Sequence, residues 1–484
     1  MVEQPGAGAG SRRIAFNAAL QAVAEVIGKV ATLALTVIAA RALSQEDFGA
    51  FVYALAFAPL VAVLWSWGLG TLMIQEASAS PKELPRLYAE FITLRLCLAV
   101  PAVIIFGAVG ALLRPDTGSA VVLVVVLVAW AINSFREANV AAGVARQEMV
   151  GVTKAQVADR LATAALGIGV LLIGMGVVAL GVAFLIGSLI GYLVARGAVR
   201  DLGIHLDLRK VDRSNLFPML RRSFYIGIDT MVSQFLFRVD AVILSAMKGD
   251  VALAAYSVAY RLLETVLFIS WAIARALFPS MSAGGPERVR RGLEEGVAAL
   301  AVLYIPFGVT LFLEADRLIP FLFGEDYGAS SAEVARWLAP APILFGISYL
   351  AGFGLQSLAR SRDVFIASLS AALFNIALNL ILIPSLAGTG AAIATTSAYA
   401  LESVVSLWML APDVGWPHLG RRMLAPVIAS AIMAVVLALM PGHVLVTVSV
   451  SGIVYLACWY PLARRTAPDQ ISVVSSLVPR KLRK

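Results

Sequence analysis

Apolar runs follow one another along almost the whole chain, separated by short polar breaks. They lie near 15–40, 48–74, 91–113, 120–140, 156–175, 177–198, 224–247, 251–279, 297–319, 334–358, 364–386, 390–410, 423–440 and 444–462. Each is close to the roughly 20 apolar residues that a helical bilayer crossing needs. The runs are continuous rather than alternating with period two, which excludes a β-barrel. The pattern therefore predicts an all-α polytopic membrane protein with 14 transmembrane helices. The first run, behind Arg12 and Arg13, is longer than the apolar region of a cleaved signal peptide and is expected to stay as span 1.

Composition agrees with the pattern. Of 484 residues, 60% are hydrophobic and 14% charged, where a soluble protein carries about 25% charged residues, so a soluble enzyme and a disordered chain are both excluded. The 38 Lys and Arg against 30 Asp and Glu leave +8. With both termini inside, the basic residues collect in the cytoplasmic segments, as the positive-inside rule requires. Among these segments are Lys82/Arg86, Arg146/Lys154, Arg196 to Arg222, Arg288 to Arg291, Arg360/Arg362 and the tail. The excess is thus topological, and no nucleic-acid partner is implied. Cys97 and Cys458 lie inside apolar runs, and His205, His418 and His443 are scattered; neither a disulfide framework nor a metal site is expected.

The chain repeats itself. Asp47-Phe-Gly-Ala-Phe-Val-Tyr53-Ala-Leu-Ala56 at the start of span 2 matches Asp250-Val-Ala-Leu-Ala-Ala-Tyr256-Ser-Val-Ala259 at the start of span 8, an offset of 203. Gly181-Val-Ala183 with Ser188 matches Gly390-Ala-Ala392 with Ser397, an offset of 209. Both offsets map a span onto the one six later. A parallel repeat of this kind predicts two six-helix lobes with a substrate site between them near mid-membrane. The expected organisation is an N-lobe at 1–200, a cytoplasmic linker at 201–223, a C-lobe at 224–412, two added spans at 413–463 and a basic cytoplasmic tail at 464–484.

Charges inside the bilayer cost at least about 2.5–3.5 kcal/mol each and so mark candidate sites. They are Lys29, Arg95, Arg238, Arg261 and Arg275 against Glu25, Asp229, Asp240 and Glu264. On span 1, Asn17, Gln21, Glu25, Lys29, Thr32 and Thr36 fall within an arc of about 120°; the structural alternative is a Glu25–Lys29 pair at i,i+4. On span 8, Ser257, Arg261, Glu264, Trp271 and Arg275 share a face. Such a cationic ladder suits an anionic cargo, because guanidinium binds phosphate oxygens bidentately and stays charged in low dielectric. The alternative is Arg261 neutralised by Glu264, with Arg275 snorkelling to the interface. Span 7 is split, with Asp229, Ser233 and Asp240 on one face and Gln234 and Arg238 on the other. The uncharged stripes Ser368/Asn375/Asn379 and Thr395/Tyr399/Ser406, the latter joined by Glu402, read as interhelical seams.

At these segments the sequence resembles the polysaccharide exporter family, lipid-linked oligosaccharide flippases of the multidrug/oligosaccharidyl-lipid/polysaccharide (MOP) superfamily. The resemblance is carried by Lys29 to Leu33, Ala40 to Gly49, Phe237 to Leu244, Ala255 to Leu262, Leu322-Phe-Gly-Glu-Asp-Tyr327 and Ile383-Pro through Ala392. It implies two six-helix lobes in a V plus two C-terminal helices, rocking between inward-open and outward-open states, and an undecaprenyl-pyrophosphate sugar in a cationic cavity. Arg238 and Arg261 match family positions, as does Asp240, which reads as structural. Span 1 offers Lys29 and no arginine, a departure from peptidoglycan lipid II flippases of the same superfamily.

The expected function is alternating-access translocation of a lipid-linked oligosaccharide for cell-surface polysaccharide biosynthesis, in the cytoplasmic membrane of a bacterium or archaeon. The candidate cavity residues are Arg261, Arg275, Arg238, Lys29, Glu25, Gln21, Asn17 and Glu264. No cofactor and no catalytic residue are expected. A proton or sodium gradient is left open, with Glu25, Asp229 and Glu264 as candidate carriers. The expected partners are the lipid-linked glycan, the bilayer and other polysaccharide assembly proteins, with the chain itself a monomer. The rivals are a cation-coupled multidrug exporter on the same fold, which would want an acidic aromatic pocket, and a lipid II flippase. A glycan polymerase or ligase would need a sizeable external loop, and a non-transporting scaffold would have no use for polar stripes of this length.

Overall fold

The structure is a computed structural model and describes residues 7–80, 82–113 and 117–466. Among these residues every regular element is helical. The first half of the chain holds α1 (Ala7–Ala42), α2 (Gln45–Ser66), α3 (Leu69–Ala79), α4 (Leu84–Leu113), α5 (Thr117–Ala145), α6 (Met149–Leu172), α7 (Val177–Asp201) and α8 (Arg213–Arg222). Then come α9 (Phe224–Ser282), α10 (Gly285–Phe323), α11 (Gly328–Leu338), α12 (Ala341–Ser357), α13 (Ser361–Val414), α14 (Gly420–Leu439) and α15 (Val444–Thr466). The basic tail beyond Thr466 lies outside the described residues.

Twelve helical stretches among the described residues are long and apolar enough to cross a membrane. Two of these, of 46 and 54 residues, would run about 70 and 80 Å at 1.5 Å per residue, more than twice a bilayer's hydrocarbon thickness. Each is broken once, at Gly249 (φ 82°, ψ 179°) in α9 and at Ala387 (φ 49°, ψ −126°) in α13. Expected spans 7 and 8 lie on either side of Gly249, and spans 11 and 12 on either side of Ala387.

Span 2 departs from the expected single helix over 48–74. It ends at Ser66, turns through two left-handed residues, Trp67 (φ 35°, ψ 37°) and Gly68 (φ 67°, ψ 6°), and resumes as α3. The turn is set by packing. A Cβ on Gly68 would stand 2.8 Å from the backbone nitrogen of Gly227, and one on Gly227 would stand 2.9 Å from the Trp67 ring, so only glycine fits at either point.

The chain forms two compact units, Met1–Val242 and Ile243–Lys484. In the first, Leu69, Met73, Leu84, Phe91, Ala142, Val199 and Met219 belong to one buried cluster. Met219 ties α8 into this unit, and polar contacts pin the rest of the segment: Asn215 donates to buried Glu90 at 2.7 Å, and Arg222 pairs with Glu76 at 2.8 Å. Asp212 caps α8, and the hydroxyl and amide of Ser214 hold its carboxyl below the usual carboxylate range. That cap is present at neutral pH and weakens as pH falls through the depressed value.

Helices α6 and α7 meet backbone to backbone. A Cβ on Gly187 would stand 2.8 Å from both the nitrogen and the Cα of Thr163, and neither can yield as a side-chain tip would. Gly187→Leu is therefore expected to destabilise the protein by about 1–3 kcal/mol or more through overpacking. The check is a thermal melt of the purified variant; an unchanged midpoint refutes the close approach.

In the second unit, the buried Tyr304 hydroxyl joins α10 to α9. It receives the Ser270 amide at 3.1 Å and donates to the Val266 carbonyl at 2.9 Å. The two last helices dock on α10: the Tyr455 hydroxyl donates to the Val302 carbonyl at 2.7 Å amid Ala425, Ala429, Met433 and Trp459. The internal repeat leaves a matching detail in each unit. Tyr53 stacks on Phe57 at 5.6 Å in α2, and Tyr256 stacks on Tyr260 at 5.4 Å in α9, the two pairs separated by the 203-residue offset.

Candidate functional site

The charged residues inside the apolar helices fall into separate groups in the two units. In the first unit, Glu25 on α1 lies 3.5 Å from Arg160 on α6, both about a third exposed. The expected alternative partner was Lys29, one turn along the same helix. The cross-helix pair forms because Gly28, between the two, leaves room for the Arg160 side chain, whose NH1 would stand 2.6 Å from a Cβ there. Lys29 is half-buried and has its own partner. Thr32 and Thr36 turn their hydroxyls onto the backbone four residues earlier, at 2.8 Å each. The lower part of the span 1 stripe is therefore spent on its own helix. Gln21 is half-buried, and the side chains of Asn17 and Asp229 lie outside the described residues.

A second group in this unit was not singled out from the sequence. Ser188 of α7 accepts from Asn133 of α5 at 3.0 Å, Asn133 accepts from the Arg136 guanidinium at 2.9 Å, and Arg136 faces Asp159 of α6 at 3.8 Å. Arg136 and Asp159 are 14% and 15% exposed, so the pair is largely desolvated. The signal was the doublets Arg136-Glu137 and Asp159-Arg160, opposite charges side by side near the ends of apolar runs. Arg95 of α4 is 1% exposed and donates to the Ser134 carbonyl of α5.

Arg238 and Asp240 lie on the first half of α9. Arg238 is half-buried with its own partner, and buried Asp240 accepts the amide of Ala241 at 2.7 Å.

In the second unit, Arg261 donates to Glu264 at 2.7 Å, with side chains 21% and 16% exposed. Arg275, fourteen residues on along the same half-helix, is exposed and close enough to Tyr349 of α12 for its charge to act on the phenol. Beside it runs a ladder of rings, Phe278 to Phe353 at 5.1 Å, Phe353 to Tyr349 at 5.1 Å and Tyr349 to Phe345 at 5.5 Å. A guanidinium beside an aromatic ladder has the chemistry to hold a phosphate. The stripes on spans 11 and 12 meet where Ser368 donates to Glu402 at 2.7 Å, and Asn379 donates to Asn375 at 2.9 Å within span 11. Among the described residues no group of acidic, histidine or cysteine side chains is placed to hold a metal ion.

Helices of membrane-crossing length with arginine–carboxylate pairs inside them define a polytopic membrane protein, and similarity to known proteins puts it among the transporters of the MOP flippase superfamily. Three solved folds agree. Lipid II flippase MurJ in an inward closed conformation superposes with a TM-score of 0.78 at 15% identity, covering 92% of this chain and 98% of that one. An inward-facing multidrug resistance MATE family transporter gives 0.67 at 16% identity over 80% and 95%. A MOP superfamily transporter from Pyrococcus furiosus gives 0.61 at 16% over 81% and 94%. Residues 38–332 match the model of a polysaccharide biosynthesis protein family, and the chain belongs to that family. It is 26% identical over 259 residues to the probable low-salt glycan biosynthesis flippase Agl15 of Haloferax volcanii. The match takes in 50% of this chain and 54% of the relative, so the chain spans about half the length of that protein.

Proposed function

We propose that this protein flips an undecaprenyl-pyrophosphate-linked oligosaccharide across the cytoplasmic membrane by alternating access, with both termini cytoplasmic. The observation that carries the reading is the second half of α9. It places Arg261 and Arg275 in an apolar helix, and among the described residues only Arg261 of the two has a carboxylate at salt-bridge distance, Glu264 at 2.7 Å. A phosphate group is a natural counterion for either guanidinium, because it offers two oxygens in one plane, and the roughly 21 Å of helix between the two residues, at 1.5 Å per residue, would let them meet the headgroup at successive depths. The family match and the glycan-biosynthesis relative support a saccharide as the group attached to it. No bond is made or broken; the protein lowers the cost of carrying a charged, hydroxyl-rich headgroup through hydrocarbon while the polyprenyl tail stays in lipid.

The test is reconstitution of the full chain into vesicles holding undecaprenyl-pyrophosphate-linked oligosaccharide, with a membrane-impermeant glycosidase outside. Digestion is expected to run past the outer-leaflet share to near completion only in vesicles that contain the protein. Digestion stopping at the outer-leaflet share, together with efflux of lipophilic cations by the same vesicles, would place the protein with multidrug exporters instead.

A further inference from the structure

One cavity in the first unit stands apart from the charged groups described above. It has a volume of about 150 Å³ and lies where α2, α5 and the first half of α9 converge, with Ser66, Trp130, Ser134, Glu137, Thr230 and Gln234 among its lining. It opens where span 2 breaks: Ser66 is the last residue of α2, immediately before the left-handed turn at Trp67 and Gly68. At roughly 30 Å³ per water it has room for about five waters, the space of one sugar ring and far less than an oligosaccharide.

One polar atom of its lining is buried and uncommitted. The indole nitrogen of Trp130 is buried and has no hydrogen-bond partner among the described residues, a state that buried donors rarely tolerate. Glu137 is exposed and Gln234 and Ser66 are half-buried, and all three are open to a ligand, whereas Ser134 and Thr230 donate to carbonyls of their own helices at 2.7 and 2.8 Å and keep their lone pairs available. The lining thus presents two kinds of donor, an indole N–H and an amide, beside a carboxylate and hydroxyl acceptors. Behind it stands Arg95, which binds the Ser134 carbonyl, interacts electrostatically with Glu137, and has an unpartnered Nε.

That inventory selects a ligand class. An anion is disfavoured by the Glu137 carboxylate facing the cavity. A bare cation would want several oxygens converging on one point, and the indole and amide N–H groups spoil such a cage. A neutral ring bearing hydroxyls satisfies both kinds of group, because each hydroxyl donates and accepts, and its C–H face lies well against an indole. We propose that this cavity is a subsite for a single sugar residue, with Glu137 accepting from ring hydroxyls and Trp130 and Gln234 donating to them. The proposal rests on the flippase reading and names the part of the headgroup that this unit holds.

The experiment uses the full chain in lipid nanodiscs and two probes, undecaprenyl-pyrophosphate carrying one hexose and undecaprenyl-pyrophosphate alone. The native protein is expected to bind the sugar-bearing lipid more tightly. Glu137→Gln is expected to lose about ten- to a hundredfold of that advantage, the scale of a hydrogen bond to a charged group, and Gln234→Leu, as a second variant, about two- to tenfold, the scale of a neutral one, both binding the sugar-free lipid as the native protein does. An undiminished sugar advantage in both variants overturns the subsite. Equal weakening toward both lipids also overturns it, by assigning the residues a structural role. If the native protein binds neither lipid, the flippase reading falls and takes the subsite with it; if it binds both equally, only the subsite falls.

Discussion

Arg261→Ala is expected to lower translocation of the lipid-linked glycan by about ten- to a hundredfold per folded molecule, the rate being read against the amount of folded protein because the variant also removes a guanidinium from Glu264, a side chain 16% exposed. The estimate follows from losing one charge-assisted contact to phosphate, about 1.5–3 kcal/mol, with a factor of ten for each 1.4 kcal/mol. Arg261→Lys should recover only part of the rate, because an ammonium keeps the charge and loses the two-pronged geometry. Glu264 makes the prediction discriminating. It sits 2.7 Å from the Arg261 guanidinium in the present state and therefore competes with any phosphate for it. Removing the acid alone, as Glu264→Gln, should preserve or raise headgroup binding. If Arg261 serves only to neutralise Glu264, the double replacement Arg261→Ala with Glu264→Ala restores translocation. That result, read in reconstituted vesicles, would remove Arg261 from the substrate path.

The largest effect on stability is expected at Arg136. Its guanidinium holds Asn133 at 2.9 Å and faces Asp159 at 3.8 Å, and both charged side chains are about one-seventh exposed. Arg136→Ala leaves the Asp159 carboxylate in a largely desolvated seam between α5, α6 and α7, and frees one end of the Asn133–Ser188 bond. The cost of breaking such a pair is roughly 3–5 kcal/mol, a large part of a protein's net stability. The variant should melt far below the native protein or fail to accumulate. Replacing both partners by leucine should recover most of the loss, since a well-packed apolar pair removes the desolvation cost on both sides. The surface pair Arg290–Glu287, with the glutamate 57% exposed, is the control; its loss should cost no more than about 1 kcal/mol. Thermal melts of the four proteins decide the matter, and equal costs at the two pairs would refute the burial argument.

The membrane fold was legible because hydrocarbon permits few solutions: an apolar run of crossing length has to become a helix. The repeat at an offset of 203 is legible in the sequence itself, and its Tyr53 and Tyr256 each stack on a ring one turn on, Phe57 and Tyr260. What the sequence hid has a common cause, namely that helical periodicity describes one helix at a time. Glu25 lies 3.5 Å from Arg160, on a helix more than a hundred residues away, where Gly28 leaves a gap for the guanidinium, a neighbour that the periodicity of α1 cannot name. The hydroxyls of Thr32 and Thr36 looked like part of a polar surface and instead bond to the preceding turn, an option that their type always carries. The break at Trp67 and Gly68 was invisible because hydropathy runs unbroken through it; only the close approach of Gly227 demands it. Arg136, Glu137, Asp159 and Arg160 escaped notice by lying near the ends of apolar runs, where charges ordinarily reach water. The Arg261–Glu264 contact was readable in advance, since i,i+3 spacing on one helix needs no knowledge of the fold.

The two broken helices bear on how such a chain can evolve. Where α9 and α13 break, the helix is interrupted at a single non-helical residue, Gly249 in one and Ala387 in the other, and no loop intervenes. Surface loops commonly diverge by gaining and losing residues; a corner one residue long has no slack to absorb either without unwinding the flanking helix. Substitution is the one route left open there. Ala387 is held at angles that glycine would adopt without strain, so Ala387→Gly is the substitution this corner accepts most readily.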